Sequence, residues 1–409
     1  MVLECDVLVV GGGPGGSSAA RAAAAAGART ILIERKREIG VPVQCGEGIG
    51  AYLLPFLPLK IPREQLVWQL NEISFWAHGS TTTRAGKLWT TYMLNREAFD
   101  AWLARGAEQA GAQVSTSTEL SGLARNEAGA VTAATVRTPA GEHELRPRVV
   151  IAADGVDSTV LKLLGFAIDK KTTCGKVVSY ELTGLRLTKP HSFQVFLGEF
   201  APGVYAYILP KSATSANVGA GTIEPQQRVK HCYEAFLELP AVAEQLRTGT
   251  VVREKSGWAP IRYFTDSWVD GNVLLVGDAA NQNFKPFVEG IIPTIICGEL
   301  AGKTASDYLR GKGSLERYTA RVRSKLGRFF ADSNKLIPIL YEPGWSSDPK
   351  QCLLRLCLFA NIISLRQFEH LVQADYTTIQ RLVERWNQSK IRQPIANVLE
   401  RVGWWSLRV

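Results

Sequence analysis

Apolar runs and an alanine-rich segment alternate at the start of the chain. Val7–Val10 and Thr30–Ile33 are short, continuous apolar runs, as expected for strands that are buried on both faces of a sheet. The alanine-rich segment between them ends near Gly27, and its composition favours a helix. The order of these runs predicts a β–α–β unit.

Glycines occupy the turn between the first predicted strand and this helix. Gly11, Gly13 and Gly16 have the spacing GxGxxG, and Glu34 ends the second predicted strand. Such glycines allow a tight turn, the close approach of a pyrophosphate and close packing of the helix on the strand, while the helix N-terminus binds the phosphates. Glu34 would accept hydrogen bonds from a ribose and repel a 2′-phosphate. The segment therefore predicts a site for FAD or NAD.

Two later segments favour FAD. Residues 149–165 read as a strand, then Asp154 and a turn, then a helix that opens near Ser158. Residues 271–294 read as a strand, a GDAA sequence that contains Asp278, and a loop that leads to another helix. A carboxylate at the end of a strand can bind the ribityl chain of a flavin. Backbone N–H groups of the following loop can stabilise the negative charge of a reduced flavin.

Short β-like runs follow in the middle of the chain. Their alternation predicts an antiparallel sheet over Val177–Thr183, Ser192–Leu197, Val204–Leu209 and Ala216–Ala220. Tyr205 and Tyr207 are two residues apart, so their rings should lie on one face of this sheet, either in a cavity or in the core.

Together these segments resemble the geranylgeranyl reductase family of FAD-dependent oxidoreductases, which has the p-hydroxybenzoate hydroxylase fold. The more specific marks of the resemblance are EIGVPVQCGEGIG at 38–50, YMLNREAFDAWLARGAEQAGAQV at 92–114, APGVYAYILPK at 201–211 and ANVGAG at 216–221. The resemblance covers most of residues 4–330.

The resemblance implies a fold with three parts, all of the α/β class. A Rossmann-type FAD-binding domain is expected over residues 1–70, 93–170 and 255–330. An antiparallel β-sheet substrate domain is expected to be inserted over 71–92 and 171–254, and a C-terminal helical region over 331–409.

The resemblance also implies the residues that contact FAD. With the motif residues above, the predicted set is Gly11, Gly13, Gly15, Gly16, Glu34, Arg35, Cys45, Gly46, Gly48, Arg96, Leu120, Asp154, Asp278, Gly290 and Ile291. The sequence shows no cluster of metal ligands, and we predict no metal site.

The loop after GDAA departs from the family. There the family usually reads D-P-x-x-G-G-G-I, whereas this chain reads FKPFVEGI at 284–291. The altered loop leaves open that the substrate, or the reaction itself, differs from that of the family. Glu289 stands where the family has glycine, and it is either a carboxylate stabilised by the following helix N-terminus or a group that contacts or protonates substrate.

Four residues are candidates for catalysis: Cys45, Tyr205, Tyr207 and Glu289. Cys45 lies between glycines in the sequence QCGEG, where a thiol can relay a proton, shape the cavity over the flavin or simply be buried. The other six cysteines are interpreted as ordinary buried residues.

Charge and cysteine usage bear on location and partners. The net charge of +9 lies wholly in residues 301–409, which carry 18 Lys and Arg against 9 Asp and Glu. This basic end, with the apolar segment Leu353–Ile363 and with Trp404 and Trp405, predicts contact with an anionic membrane surface; the alternative is a solvated helical face with the apolar segment packed onto the FAD-binding domain.

No nucleic-acid-binding motif is present, and we predict no such partner. Without a spanning segment or a CxxC pair, we expect a cytoplasmic protein, peripheral on the inner face of the membrane.

The resemblance implies an enzyme that saturates C=C bonds of a polyprenyl, geranylgeranyl-like chain, with electrons from NAD(P)H or a reduced carrier protein. The alternatives are a flavin-dependent monooxygenase or halogenase and a dehydrogenase of the same fold, each acting on an apolar small molecule. A non-enzymatic flavin-binding or membrane-scaffold protein is less consistent with an intact GDAA segment.

Overall fold

The computed structural model describes residues 2–262, 265 and 267–389. The strands in this part of the chain are β1 (Val2–Val10), β2 (Thr30–Ile33), β3 (Gly48–Gly50), β4 (Leu66–Leu70), β5 (Glu72–Ala77), β6 (Ser80–Ala85), β7 (Thr91–Leu94), β8 (Gln113–Ser115), β9 (Glu119–Arg125), β10 (Val131–Thr138), β11 (Gly141–Ala152), β12 (Cys174–Thr183), β13 (Ser192–Leu197), β14 (Ala206–Pro210), β15 (Ser215–Thr222), β16 (Thr250–Pro260), β17 (Val269–Asp270) and β18 (Val273–Leu275).

Helices connect and cover these strands. They are α1 (Pro14–Ala25), α2 (Arg96–Gln109), α3 (Thr159–Leu163), α4 (Lys170–Thr173), α5 (Val229–Leu237), α6 (Pro240–Leu246), α7 (Ile291–Leu309), α8 (Arg317–Asn334), α9 (Ile337–Leu340), α10 (Pro349–Phe359), α11 (Leu365–Leu371) and α12 (Tyr376–Gln388).

The first sheet has the order β17-β18-β11-β1-β2-β8, and its strands from β18 to β8 are parallel. Strands β9 and β10 extend β11 as an antiparallel meander. Helix α1 packs against α2 and α7. The predicted β–α–β unit is confirmed, and β2 has the predicted bounds because all four of its residues are apolar or buried.

The second sheet has the order β16-β12-β15-β14-β13-β5-β6. The four strands predicted from the sequence pair antiparallel, as predicted. One pair of the sheet is parallel, β13 with β5, a strand from the earlier of the two inserted segments. The sheet also continues along β16 to Pro260, past the predicted limit at residue 254.

A third, small sheet has the order β3-β7-β4 and lies where the segments of the first two sheets meet. Its strands carry the chain from the Cys45 turn to the second sheet and back to α2. The C-terminal region is helical as predicted, through α12.

The apolar segment Leu353–Ile363 belongs to the core of the second sheet. Within it, Leu353, Leu356 and Cys357 are fully buried, and the rings of Phe359 and Phe75 lie 6.3 Å apart. The segment is therefore not a docking face, and it packs on the second sheet rather than on the FAD-binding domain. Trp404 and Trp405 lie outside the described residues. In the described part of the chain, no helix has both the length and the hydropathy needed to cross a membrane.

Candidate flavin and substrate cavity

A cavity of about 470 Å³ is lined by residues of the second and third sheets and by the turns that follow β1, β11 and β18 of the first sheet. Its walls are the N-terminus of α1, the segment 44–50, the inner strands of the second sheet, and the loop that precedes α7. Tyr205, Tyr207, Cys45 and Glu289, the four predicted catalytic residues, all line it. The two tyrosine rings share one face, as predicted, and their centroids are 6.3 Å apart.

The glycine-rich turn lets α1 point its N-terminus into this cavity. Gly11 has φ +102°, and a Cβ there would lie 2.4 Å from the Ala153 carbonyl oxygen. A Cβ at Gly16 would lie 1.8 Å from the Gly11 carbonyl oxygen. Gly13 and Gly15 line the cavity, and the space where a Cβ of Gly13 would stand is empty within 4 Å. The turn is therefore shaped to admit an anionic group at the helix N-terminus.

Glu34 is held beside this turn. Its carboxylate accepts hydrogen bonds from the Gly12 N–H at 2.8 Å and the Lys36 N–H at 2.9 Å. Two further predicted FAD contacts lie away from the cavity walls. Arg35 is exposed, and Leu120 is buried in the core of the first sheet.

Asp154 is hydrogen-bonded to residues at the start of α3. Its carboxylate accepts hydrogen bonds from the Ser158 hydroxyl at 2.6 Å and from the N–H groups of Thr159 and Val160 at 2.7 and 3.1 Å. The carboxylate thus accepts from the first two N–H groups of α3, whose N-cap residue is Ser158. Contact of Asp154 with FAD stays a prediction.

Asp278 lines the cavity and is accessible from it. Its carboxylate forms no ion pair within 4 Å in the described part of the chain, although protein surrounds it. Burial raises the pKa of this carboxyl, and the charges of Arg96 and Lys285 oppose that rise. Gly290 approaches it closely, since a Cβ there would lie 3.7 Å from Asp278 Oδ1. An accessible carboxylate with few protein partners suits a polyol ligand such as a ribityl chain.

Arg96 begins α2 and lines the same cavity. Its Nε and Nη2 each donate to the Asp100 carboxylate at 2.8 Å. This bidentate pair fixes the plane of the guanidinium.

The Cys45 turn faces the second sheet. The Cys45 Sγ accepts a hydrogen bond from the Glu47 N–H at 3.2 Å. A Cβ at Gly46 would lie 3.5 Å from Leu209 and 3.9 Å from the Tyr207 hydroxyl oxygen. The thiol and the Tyr207 hydroxyl therefore border one part of the cavity, and burial raises the pKa of Tyr207 to about 12.

A buried charged cluster, which we call the Glu47 cluster, joins this turn to the second sheet. Glu47 Oε2 accepts from Lys211 Nζ and Lys255 Nζ, both at 2.8 Å, and from Asn217 Nδ2 at 2.9 Å. Glu181 completes the cluster, 2.9 Å from Lys211 Nζ. Burial alone would raise the pKa of Glu47, but the charges of Lys255 and Lys211 lower it to about 2.

The same cluster fixes the backbone of the Cys45 turn. Asn217 Nδ2 donates to the Gly46 carbonyl at 2.9 Å, and Lys255 Nζ to the Cys45 carbonyl at 3.4 Å. On its other side Glu47 Oε1 accepts from the Arg96 N–H at 3.3 Å. One carboxylate thus connects the turn, α2 and the second sheet.

Glu289 lies at the end of the altered loop. Its carboxylate accepts hydrogen bonds from the Gly50 N–H and, at 2.7 Å, from the Tyr52 hydroxyl. Lys285, in the same loop, is almost fully buried, and burial lowers its pKa to about 7. Its Nζ donates to Asn281 Oδ1 at 3.2 Å. The loop therefore brings two titratable side chains to the cavity, where the family usually has proline and glycine.

These features fit FAD. A helix N-terminus can receive the pyrophosphate, Glu34 lies where a ribose would follow, and the accessible Asp278 carboxylate lines the same cavity. Among the described residues no group of three or more His, Cys, Asp or Glu side chains could hold a metal ion. The six cysteines other than Cys45 are buried and free, as predicted.

Comparison with known proteins decides the family. Two family models, each described as FAD binding domain, match residues 6–72 and 70–284. Digeranylgeranylglycerophospholipid reductase 2 of Methanopyrus kandleri is 32% identical over 93% of this chain and 97% of its own length. The chain belongs to the geranylgeranyl reductase family of FAD-dependent oxidoreductases. A digeranylgeranylglycerophospholipid reductase of Methanocaldococcus jannaschii is 34% identical over 78% of this chain and 82% of its own length.

Solved structures agree with this family. A geranylgeranyl bacteriochlorophyll reductase-like protein from Thermoplasma acidophilum superposes with a TM-score of 0.79 at 26% identity, covering 94% of this chain and 99% of its own. The chondrochloren halogenase, at 18% identity and a TM-score of 0.66 over 93% of this chain and 97% of its own, shares the fold. As a member of the family, the chain is an FAD-dependent oxidoreductase, as predicted.

Sequence reasoning missed the Glu47 cluster and Tyr52. Glu47 stands in the quoted CGEG sequence, but its partners Lys211, Asn217 and Lys255 come from distant strands. Tyr52 lies in an unremarkable apolar segment after β3 and carries no motif.

Proposed function

We propose that this enzyme reduces C=C bonds in polyprenyl chains of a geranylgeranyl-type lipid, the substrate class that the names of its relatives describe for those proteins. The observation that supports the proposal is the composition of the cavity walls. Beyond the glycine-rich turn and the Glu47 cluster, the lining side chains are mainly aliphatic or aromatic. Each buried methylene contributes about 0.8 kcal/mol, so burial of a long polyprenyl chain in this cavity is favourable.

Aromatic rings form one wall of the substrate space. The Phe287 ring lies 5.4 Å from the ring of Phe193 and 5.9 Å from that of Tyr205. The Tyr205 hydroxyl donates to the Phe287 carbonyl at 3.2 Å, so the polar end of the tyrosine is satisfied by the loop. These rings thus offer a chain an apolar surface, which would help to keep water from the reacting bond.

The side chains at the cavity divide the work of the reaction. Bound FAD supplies the hydride that reduction of an alkene requires. Glu34, Arg96, Asp278 and the N-terminus of α1 would hold this cofactor. Cys45 and Tyr207 border the cavity on the side of the second sheet, where we expect them to orient the chain.

Two partners complete the proposal. Electrons would come from NAD(P)H or a reduced carrier protein. The lipid would enter from a membrane surface that α8 contacts, since Arg317, Arg323, Lys325 and Arg328 on this helix are exposed.

Anaerobic mass spectrometry tests the reaction. Reduced enzyme is incubated with a polyprenyl lipid, and the lipid extract is compared with that from a heat-inactivated control. A gain of two hydrogens for each double bond is the expected result. A gain of one oxygen when air is admitted, with no hydrogenated product, would instead assign a monooxygenase, a class of enzyme that also uses this fold.

A further inference from the structure

The altered loop holds Glu289 in a defined place. The Phe284 N–H donates to the Glu289 carbonyl at 3.0 Å, and the Glu289 N–H donates to the Phe284 carbonyl at 2.8 Å. This reciprocal pair closes the loop on itself directly before α7. The side chain of Glu289 therefore projects from a fixed backbone position.

The Glu289 carboxylate is enclosed by protein but open to the cavity. Glu289, Tyr52 and Gly50 all line the cavity, and the surface that Glu289 leaves accessible lies there. In the described part of the chain no Lys, Arg or His forms an ion pair with it. A buried carboxyl without a cationic partner favours its neutral form, and burial accordingly raises the pKa of Glu289.

Tyr52 remains a hydrogen-bond donor to this carboxyl. Burial and the adjacent Glu289 raise the pKa of Tyr52 well above its ordinary value, so the phenol stays protonated. The Tyr52 hydroxyl and the Gly50 N–H together can stabilise the carboxylate that remains after Glu289 gives up a proton.

We infer that Glu289 is the acid that protonates the alkene and that Tyr52 positions it. This inference rests on the proposed function. The π electrons of the double bond form a C–H bond to the Glu289 proton, and the adjacent carbon takes the hydride supplied by reduced FAD. The products are the saturated bond, oxidised flavin and the Glu289 carboxylate, which is reprotonated from solvent before the next turnover.

Single-turnover kinetics test the inference. FAD-loaded enzyme is reduced anaerobically and mixed with a polyprenyl lipid, and flavin reoxidation is followed by absorbance. Glu289→Gln should slow reoxidation by about 10²–10⁴-fold while it keeps FAD and lipid affinity. Tyr52→Phe should slow it by about tenfold, because it removes one hydrogen bond to a developing charge. Glu289→Asp should restore part of the rate.

Two readouts separate acid catalysis from structural support. Transfer of the Glu289 proton should give the wild-type enzyme a solvent deuterium isotope effect, which Tyr52→Phe retains. Without substrate, the infrared difference spectrum of the wild type minus Glu289→Gln should show the band of a protonated carboxyl. Glu72→Gln changes a half-buried carboxylate that pairs with Lys189 and is the matched control. It should alter neither the isotope effect nor the infrared band.

The outcomes distinguish the two proposals. Wild-type reoxidation kinetics in Glu289→Gln, with an active wild type, would overturn the acid role alone. A wild-type enzyme whose reduced flavin is not oxidised by any polyprenyl lipid would overturn the proposed function and the acid role with it. If Glu289→Gln loses FAD, the Glu289→Asp rates and the infrared band decide, and a difference spectrum without the band counts against the inference.

Discussion

Replacing Glu47 by glutamine should destabilise the protein and loosen the Cys45 turn. The substitution keeps the size of the side chain but removes the charge that Lys255 and Lys211 contact at 2.8 Å. Lys255 and Glu47 are each only 2% exposed, so water does not replace the lost partner. Breaking a buried pair from one side costs about 3–5 kcal/mol, because an uncompensated charge remains.

The pKa of Glu47 gives an independent magnitude. The difference between an ordinary value of 4.5 and about 2 corresponds to about 3 kcal/mol of stabilisation at neutral pH. Because the folded-state pKa is the lower one, this stabilisation is fully present above pH 4.5 and is lost as the pH falls towards 2.

Urea denaturation of the FAD-free protein at several pH values measures this effect. Glu47→Gln should lower the free energy of unfolding at pH 7 by about 3 kcal/mol and should flatten its decline below pH 4.5. The double variant Glu47→Gln with Lys255→Met should recover part of the loss, since it removes the charge left without its partner. Glu72→Gln is the control, because the Glu72 ion pair with Lys189 lies 3.7 Å apart and is partly exposed.

One result would refute this reasoning. If Glu47→Gln unfolds within about 0.5 kcal/mol of the wild type and shows the same acid dependence, the cluster does not hold the turn. If Glu47→Gln loses stability but its Cys45 is alkylated no faster than in the wild type, the predicted loss of stability is confirmed. The claim that the cluster fixes the Cys45 turn is then contradicted.

Three further predictions concern the cofactor, the thiol and the membrane. Asp278→Ala should lose FAD on gel filtration, since its accessible carboxylate is the proposed ribityl ligand; tight retention would remove that role. Cys45→Ala should fold and keep FAD but change the rate or the products, and an unchanged product pattern by mass spectrometry would show that the thiol only packs. The enzyme should float with anionic vesicles at low salt and much less with neutral ones, and Arg323→Glu with Lys325→Glu should weaken this binding; equal behaviour of both vesicle types would exclude docking through α8.

Local patterns predicted the first β–α–β unit closely. The bounds of β2 were predicted to the residue, because its apolar run is bounded by turns that the sequence marks. A helix was predicted after the loop that follows GDAA, and α7 begins there at Ile291. The strand β16 crosses the predicted limit at 254, because it runs on through a polar stretch. Its pairing with β12, not its own composition, makes residues 255–260 a strand.

Local sequence patterns could not predict which residues contact the site residues. Lys255 lies 208 residues from Glu47 in the sequence, and Glu289 lies 237 residues from Tyr52. A buried charge needs a partner, but the sequence does not tell which of 47 Lys and Arg residues supplies it. The apolar segment Leu353–Ile363 shows the same ambiguity, because a core helix and a membrane-facing helix have similar compositions.

The altered loop places a β-branched residue in a backbone conformation that suits glycine. Val288 has φ +53°, a left-handed conformation that glycine adopts freely and a β-branched residue adopts with strain, at a position where the family usually has glycine. The neighbouring Glu289 then uses the fixed backbone to reach Gly50 and Tyr52. The strained turn costs stability. We infer that the side chains of this loop that face the cavity have a function that offsets this cost. That is the physical reason to seek its chemical individuality at residues 284–289 rather than in the flavin-binding turns, whose glycines and carboxylates follow the family pattern.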